Sequence, residues 1–164
     1  MAPRRIVRVT HRNDAEDAHS GRGGLYAAGR WHRRGRLVVY AAESLALATL
    51  EKIVAVNDAQ RLREMVCVPA HLDDEAVQGP PLADLADGWD QRPPTAASQD
   101  VGTDWPDLER SPALQVPSAL FPTEAHNYVL SPAHPEFDAA VEVDDSAPLR
   151  LDPRIEARVA KDSS

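Results

Sequence analysis

Three side chains that could bind an anionic nucleotide and stabilise positive charge lie close together in the sequence. Arg30 follows Gly29 in a Gly-Arg-Trp turn, Tyr40 ends an apolar strand, and Glu51 lies on the helix that follows. A guanidinium can bind a pyrophosphate through paired hydrogen bonds, and glycine lets the backbone approach a ligand closely. A tyrosine ring can stack on an aromatic ring while its hydroxyl stays in water. A carboxylate can stabilise positive charge that develops on a ribose. This combination indicates a nucleotide site.

Each of the three residues also has an ordinary structural explanation. Arg30 could pair with an acidic residue at the surface, Tyr40 could lie at the edge of the core, and Glu51 could be a solvated helix residue. Long charged side chains are usually exposed, so no one of these residues identifies a site when taken alone.

Ser118 and Asn127 are two further candidates, in the segment VPSALFPTEAHNY. A short polar side chain within an apolar strand needs a hydrogen-bond partner, which here is either a ribose hydroxyl or the backbone. No G-x-S-x-G turn surrounds Ser118, so a hydrolase nucleophile is not expected. The six histidines show no metal-ligand spacing, and no metal site is predicted.

The helix that carries Glu51 is the clearest element. Ser44 is a suitable N-cap, and residues 45–56 have helical periodicity. The predicted buried stripe places Glu51 on its flank, half-buried and directed towards the sheet, with Thr49 and Lys52 on the opposite face. That stripe consists of Leu47, Leu50 and Val54.

The other elements are short strands and a few helical turns. Shorter helical segments are predicted at 95–103 and 155–159, and residues 71–112 form the least regular part of the chain. These elements indicate an α+β fold, without a Walker phosphate loop or a G-x-G-x-x-G motif. The predicted strands cover residues 5–10, 36–41, 63–69, 115–121, 127–130, 140–143 and 149–151.

Composition narrows the class of protein. The 164 residues suit one domain over 1–164, with a flexible tail from about residue 160. One cysteine excludes a disulfide framework, and neither a signal peptide nor a membrane-spanning run is seen, so a cytoplasmic location is expected. The net charge of −8 argues against direct nucleic-acid binding. Residues 1–36 nevertheless carry nine arginines and three acidic residues, which favours a local anion site.

Several ordered motifs together resemble the RES domain, the toxin of RES–Xre toxin–antitoxin systems. The resemblance begins at RIVRV, where Arg8 matches an arginine on the family's first strand. It continues through GRWHRRGRLVVYAAESLALATLE and VPSALFPTEAHNYVLSPAHPEF, and it closes at LDPR. Three positions depart from the family pattern: Ala28 replaces a glycine, and His32 and Ser131 replace asparagines.

The resemblance implies an ADP-ribosyltransferase-like single domain with short, mostly antiparallel strands. It also implies an enzyme that consumes NAD+ as a substrate, with no separate cofactor, by hydrolysis or phosphorolysis of the nicotinamide–ribose bond. Glu51 would then hold a ribose hydroxyl and face the developing cation. Arg30, helped by Arg8, would bind the pyrophosphate, and Tyr40 would stack on nicotinamide. Ser118 would hydrogen-bond the ribose, and Asn127 would brace the pocket.

The partner implied by the resemblance is an Xre-type antitoxin with a helix-turn-helix domain. Such a partner would block the toxin pocket and supply the DNA binding, in a complex that contains paired copies of the toxin. Two alternatives remain open: a mono-ADP-ribosyltransferase that modifies a protein, and an inactive module that only binds its antitoxin.

Overall fold

The computed structural model describes residues 3–79, 85–107 and 111–162, with the backbone alone at 102–107 and 162. Within these residues eight strands form one sheet: β1 (Arg4–His11), β2 (Val39–Ala42), β3 (Met65–Leu72), β4 (Val77–Gln78), β5 (Ala113–Pro117), β6 (His126–Leu130), β7 (Val141–Val143) and β8 (Ala147–Pro148). The described helices are α1 (Gly23–Tyr26), α2 (Leu45–Val56), α3 (Ala59–Leu62), α4 (Ala96–Asp107), α5 (Phe137–Ala140) and α6 (Pro153–Asp162).

The sheet has the order β4-β5-β6-β2-β1-β3-β7, and β8 also pairs with β3. Its pairs are antiparallel except for β4 and β5. The predicted α+β class, with short and mostly antiparallel strands, is confirmed. Alternate residues of β1 enter two different apolar clusters, Ile6 in one and Val7 in the other, because successive side chains of a strand point to opposite faces.

The middle of the sheet is split. Along its whole length β1 pairs with β3, but its pairing with β2 is recorded at only one position, Val7 opposite Ala42. Across the gap, Arg8 Nη1 donates a hydrogen bond to the carbonyl oxygen of Tyr40 at 3.0 Å. The split therefore opens space between two strands at the centre of the fold.

Helix α2 begins and ends where the sequence predicts. The Ser44 hydroxyl caps it by accepting a hydrogen bond from the Leu47 N–H, and Asn57 ends it in the left-handed conformation with φ 46°. The predicted buried stripe was wrong in part, because Leu50 and Val54 are 41% and 47% exposed. Thr49, predicted to face solvent, is buried, and its hydroxyl donates to the Leu45 carbonyl.

Other element boundaries also differ from the predictions. The predicted strand 36–41 begins only at Val39, and 115–121 ends at Pro117. Residues 149–151 are not a strand, because the pairing with β3 is made instead by Ala147 and Pro148. Helix α6 continues to Asp162, so residues 160–162 are helical, and residues 163–164 lie outside the described part. The flexible tail from about residue 160 stays a prediction.

Candidate active site

A cleft of about 290 Å³ lies where β1 and β2 separate, with one side of α2 facing it. Five of the six predicted site residues line this cleft: Arg8, Arg30, Tyr40, Glu51 and Asn127. The face that α2 presents to the cleft consists of residues 48, 51, 52 and 55, which are neighbours on one side of a helix. Alanine at 48 and 55 leaves room for a ligand between the two longer, charged side chains.

The Glu51 carboxylate is held through one of its two oxygens. Oε1 accepts hydrogen bonds from the Ser118 hydroxyl at 2.7 Å and from the Asn127 side-chain amide at 2.9 Å. Among the described residues Oε2 has no hydrogen-bond partner. Glu51 is half-buried, as predicted, and two neutral donors orient it without neutralising its charge.

Ser118 occupies a different position from the one predicted. Its side chain is completely buried and is absent from the residues that line the cleft. Besides donating to Glu51, its hydroxyl accepts a hydrogen bond from the Leu120 N–H at 3.1 Å. Ser118 is therefore placed to orient Glu51 and not to contact a ribose.

The Tyr40 hydroxyl is fixed by a buried network and is not in water, contrary to the expectation. It accepts a hydrogen bond from the Trp31 N–H at 3.1 Å and lies 2.6 Å from His32 Nδ1. His32 Nε2 lies 2.9 Å from the Ala27 carbonyl, which only accepts, so Nε2 carries the proton and Nδ1 accepts from Tyr40. Burial raises the pKa of the Tyr40 hydroxyl, so it stays protonated.

Gly29 allows this close arrangement. A Cβ atom at position 29 would lie 2.6 Å from the Tyr40 hydroxyl oxygen.

One of the three departures from the family pattern belongs to this network. His32 contacts the Tyr40 hydroxyl through Nδ1 and so helps to hold the tyrosine in place. Ala28 and Ser131 do not line the cleft, and Ser131 belongs to the turn after β6, where its N–H donates to the Pro112 carbonyl.

Arg30 lines the cleft, but part of its guanidinium is already bound. Nη1 donates to the carbonyl oxygens of Trp89 at 3.0 Å and Gln91 at 2.9 Å. The rings of Trp31 and Trp89 stack beside this contact at 5.7 Å between centroids. Burial and the nearby Arg92 lower the pKa of Arg30, while Glu51 opposes that shift. Arg30 therefore anchors the segment 88–92 next to the cleft, in addition to any role with a ligand.

Lys52 is the cleft residue that the sequence did not predict. It was assigned to the solvent face of α2, yet it lines the cleft beside Glu51 and is half-buried. Burial, together with the charges of Arg8 and Arg61, lowers its pKa. The spacing of Ala48 and Ala55 around the pair 51–52 was the available signal, since a face with small residues leaves space for a site.

Two kinds of feature, a cluster of metal-ligating side chains and a membrane-spanning helix, are absent from the residues that the structure describes. In the ranges 3–79, 85–107 and 111–162 no group of three or more His, Cys, Asp or Glu side chains could hold a metal ion. None of the described helices is long and apolar enough to cross a bilayer. The described cleft thus offers one oriented carboxylate, three cations and two aromatic side chains, Trp31 and Tyr40.

Known proteins are similar to this chain over most of its length. The chain is 31% identical over 150 residues to "Toxin Res" of Yersinia enterocolitica, covering 92% of this chain and 98% of that protein. It is 31% identical over 156 residues to "Toxin Res" of Photorhabdus laumondii, covering 95% and 97%. It is also 35% identical over 135 residues to the "Prs ADP-ribosylating toxin" of a Sphingobium species, covering 80% and 83%.

The fold is also found in a solved structure. A chain in the crystal structure of the M. tuberculosis MbcT–MbcA toxin–antitoxin complex matches with a TM-score of 0.71 at 19% identity, covering 97% of this chain and 90% of that one. The RES domain model matches residues 2–152. With this match over nearly the whole length and toxin relatives of similar size, the chain belongs to the RES domain family.

Proposed function

We propose that this protein is the toxin of a toxin–antitoxin system and that it consumes NAD+ by cleaving the bond between nicotinamide and ribose. The Glu51 carboxylate carries this proposal. It is oriented by Ser118 and Asn127 through Oε1, while Oε2 has no partner among the described residues. A fixed negative charge beside a cleft, with one oxygen that has no hydrogen-bond partner among the described residues, suits a reaction that passes through a cation.

The reaction needs little from the protein besides this charge. When the bond breaks, nicotinamide takes the bonding electrons and leaves as a neutral molecule, so no general acid is required. Positive charge develops on the ribose ring, as in glycoside cleavage. Glu51 would stabilise that charge through Oε2 and a ribose hydroxyl. Water, phosphate or a protein side chain would then bond to the anomeric carbon, and an acceptor such as water would release a proton to the solvent.

The remaining residues would bind and orient the substrate. The ring of Tyr40, immobilised through its hydroxyl, would stack on nicotinamide. Asn127 would brace Glu51 from the floor of the cleft. Arg30 and Arg8 would face the phosphates, with Arg30 also holding the segment 88–92. Ser118 would act only through Glu51.

The decisive experiment replaces Glu51 with its neutral isostere. Glu51→Gln keeps the shape and can still hydrogen-bond Ser118, but it removes the charge. We expect the rate of NAD+ consumption by the purified protein to fall about 100- to 1,000-fold. Glu142→Gln makes the same charge change on β7, far from the cleft in the sheet order, and should leave the rate unchanged. Full activity of Glu51→Gln would remove Glu51 from the mechanism.

A second candidate is transfer of ADP-ribose to a protein. It is favoured by one observation, the relative of 35% identity that is named an ADP-ribosylating toxin. Labelled NAD+ incubated with and without phosphate, and with candidate acceptor proteins, separates the reactions. Free ADP-ribose indicates hydrolysis, its phosphate ester indicates phosphorolysis, and labelled protein indicates transfer.

The partner we propose is an antitoxin, and the Xre type follows from the family resemblance. The fold neighbour in a toxin–antitoxin complex is consistent with such a partner. Paired toxin copies in the complex and the lack of direct DNA binding remain predictions. We propose action in the cytoplasm, where NAD+ is available and an unpaired cysteine remains reduced. Expression without the antitoxin should stop growth and deplete NAD+, and an inactive binding module would do neither.

A further inference from the structure

The charged residues that line the cleft form two groups, and we call the position of each group an end of the cleft. At one end Arg30 lies close enough to Glu51 and Tyr40 for their charges to affect its pKa. At the other end the positive charge of Arg8 lowers the pKa of Lys52, and Arg61 adds to that effect. We call the pair Arg8 and Lys52 the cationic end. It carries more positive charge than its surroundings balance.

Arg8 is half-buried, and its hydrogen bonds are incomplete. One guanidinium N–H donates to the Tyr40 carbonyl, but Nε is buried and has no hydrogen-bond partner among the described residues. Burial lowers the pKa of Arg8, and Asp14 only partly opposes that shift. A guanidinium in this setting, without a carboxylate contact, is stabilised by an anion that reaches its accessible N–H groups.

Lys52 adds a second cation to the same wall. It is half-buried, lines the cleft, and makes no hydrogen bond or ion pair with any described residue. Asp14 is the one acidic residue whose charge raises its pKa, against the opposing effects of burial, Arg8 and Arg61. Two cations held together at the end of a cleft repel one another, and an anion placed between them would relieve that repulsion.

Arg30, the residue predicted to bind the pyrophosphate, is partly engaged within the protein. Its Nη1 atom donates to the carbonyl oxygens of Trp89 and Gln91, which leaves Nε and Nη2 without a hydrogen-bond partner among the described residues. Lys52 makes no such contact with a described residue. Lys52 therefore adds to the cleft a cation whose whole ammonium group is available to a ligand.

We propose that Arg8 and Lys52 form an anion subsite that binds a phosphoryl group, with Lys52 as a substrate-binding residue. The subsite stands on its own geometry, but the identity of the phosphoryl group rests on the proposed function. The group is either the pyrophosphate of NAD+ or a free phosphate that accepts the ribosyl group. In the second case a phosphate oxygen bonds to the anomeric carbon while nicotinamide leaves with the electrons of the broken bond.

The test compares two lysine variants, since Lys161 is the other lysine of the chain. Lys52→Met keeps the aliphatic stem and removes the charge, and Lys161→Met makes the same change on α6. Sodium pyrophosphate and inorganic phosphate are titrated calorimetrically into the wild type and both variants. NAD+ is titrated into the same proteins carrying Glu51→Gln, so that it is not consumed. Thermal unfolding checks each fold, and Lys52→Gln replaces Lys52→Met if the latter is unstable.

We expect Lys52→Met to bind pyrophosphate about ten-fold more weakly, as the loss of one charge-assisted contact predicts, and Lys161→Met to bind it like the wild type. Lys52→Arg should restore binding. A parallel loss of NAD+ affinity identifies the dinucleotide as the source of the phosphoryl group. Unchanged NAD+ affinity, with loss of phosphate binding and of phosphate-stimulated turnover, identifies free phosphate.

The subsite is overturned if pyrophosphate and phosphate bind Lys52→Met as tightly as Lys161→Met, or if neither anion binds the wild type. This result is distinguishable from failure of the proposed function. A wild type that binds pyrophosphate through Lys52 but neither binds nor cleaves NAD+ keeps the subsite and loses the proposed reaction.

Discussion

At the scale of single residues, the site depends on how one carboxylate is oriented. Both donors to Glu51, Ser118 and Asn127, bind the same oxygen atom. This fixes the plane of the carboxylate and leaves the other oxygen for the cleft. A residue that contributes only to this orientation should affect the chemical step more than substrate binding, because it never touches the substrate.

Ser118→Ala tests that distinction. The variant removes one of two hydrogen bonds to Glu51, so we expect kcat for NAD+ cleavage to fall about ten-fold with KM unchanged. Steady-state kinetics measures both constants. Ser111→Ala, another buried serine, should leave both as in the wild type. A raised KM with normal kcat would instead place the Ser118 hydroxyl on the substrate.

His19 is a buried residue whose lowered pKa makes the stability of the fold depend on pH. Burial and the neighbouring charge of Arg8 lower its pKa to about 4. The Val68 backbone opposes this shift, but neither ring nitrogen has a partner within hydrogen-bond geometry among residues 3–79, 85–107 and 111–162. Below its ordinary pKa of about 6.5 the unfolded chain binds a proton that the folded protein does not, so stability falls as pH falls.

We therefore expect the free energy of unfolding to drop between pH 6.5 and pH 4, with His19 contributing up to about 3 kcal/mol of that loss. His19→Leu should weaken this dependence, and it should not destabilise the protein at pH 7 through any lost hydrogen bond. Urea unfolding at several pH values measures both effects. An undiminished slope in His19→Leu would show that other groups control it.

At the scale of elements, α2 combines two functions that the sequence pattern does not separate. Leu47 and Ala48 pack in the core with Val7 and Val9 of β1, whereas the neighbouring face, residues 48, 51, 52 and 55, borders the cleft. Its small side chains keep the helix from filling the split between β1 and β2. The alanines thus set the size of the cleft.

Ala55→Leu tests the role of this face at the cationic end. Position 55 is exposed and helical, so leucine should be accepted without loss of stability. Its bulk beside Lys52 should raise KM for NAD+ about ten-fold, equivalent to about 1.4 kcal/mol of binding free energy. Ala46→Leu is the matched control, because Ala46 is exposed on α2 but does not line the cleft. Equal KM values for the two variants would contradict a ligand at this end.

At the scale of the whole molecule, the charge distribution agrees with the position of the cleft. The basic first 36 residues provide β1 and the Gly-Arg-Trp turn, and from them Arg8 and Arg30 reach the cleft. The protein as a whole is acidic, with a net charge of −8. Positive potential is therefore concentrated where an anionic substrate would bind, and a polyanion such as DNA would meet repulsion elsewhere.

Local signals in the sequence determined much of the fold. The cap at Ser44 and the end at Asn57 define α2 because hydrogen bonds within a few residues decide them. The β-branched run of β1 predicted its strand for the same reason. Boundaries at 115–121 and 149–151 were wrong because strand ends depend on partners that are distant in sequence.

For the site, the sequence identified which residue types would meet, including Glu51 and Tyr40. Only the tertiary structure decided their roles, because each role depends on atoms from another element. It buried Ser118 behind Glu51, bound Arg30 to the segment 88–92, and turned Lys52 into the cleft. The physical reason is that hydrogen bonds and charge interactions act over a few ångströms in space, whereas helical and strand periodicity describe only one element at a time.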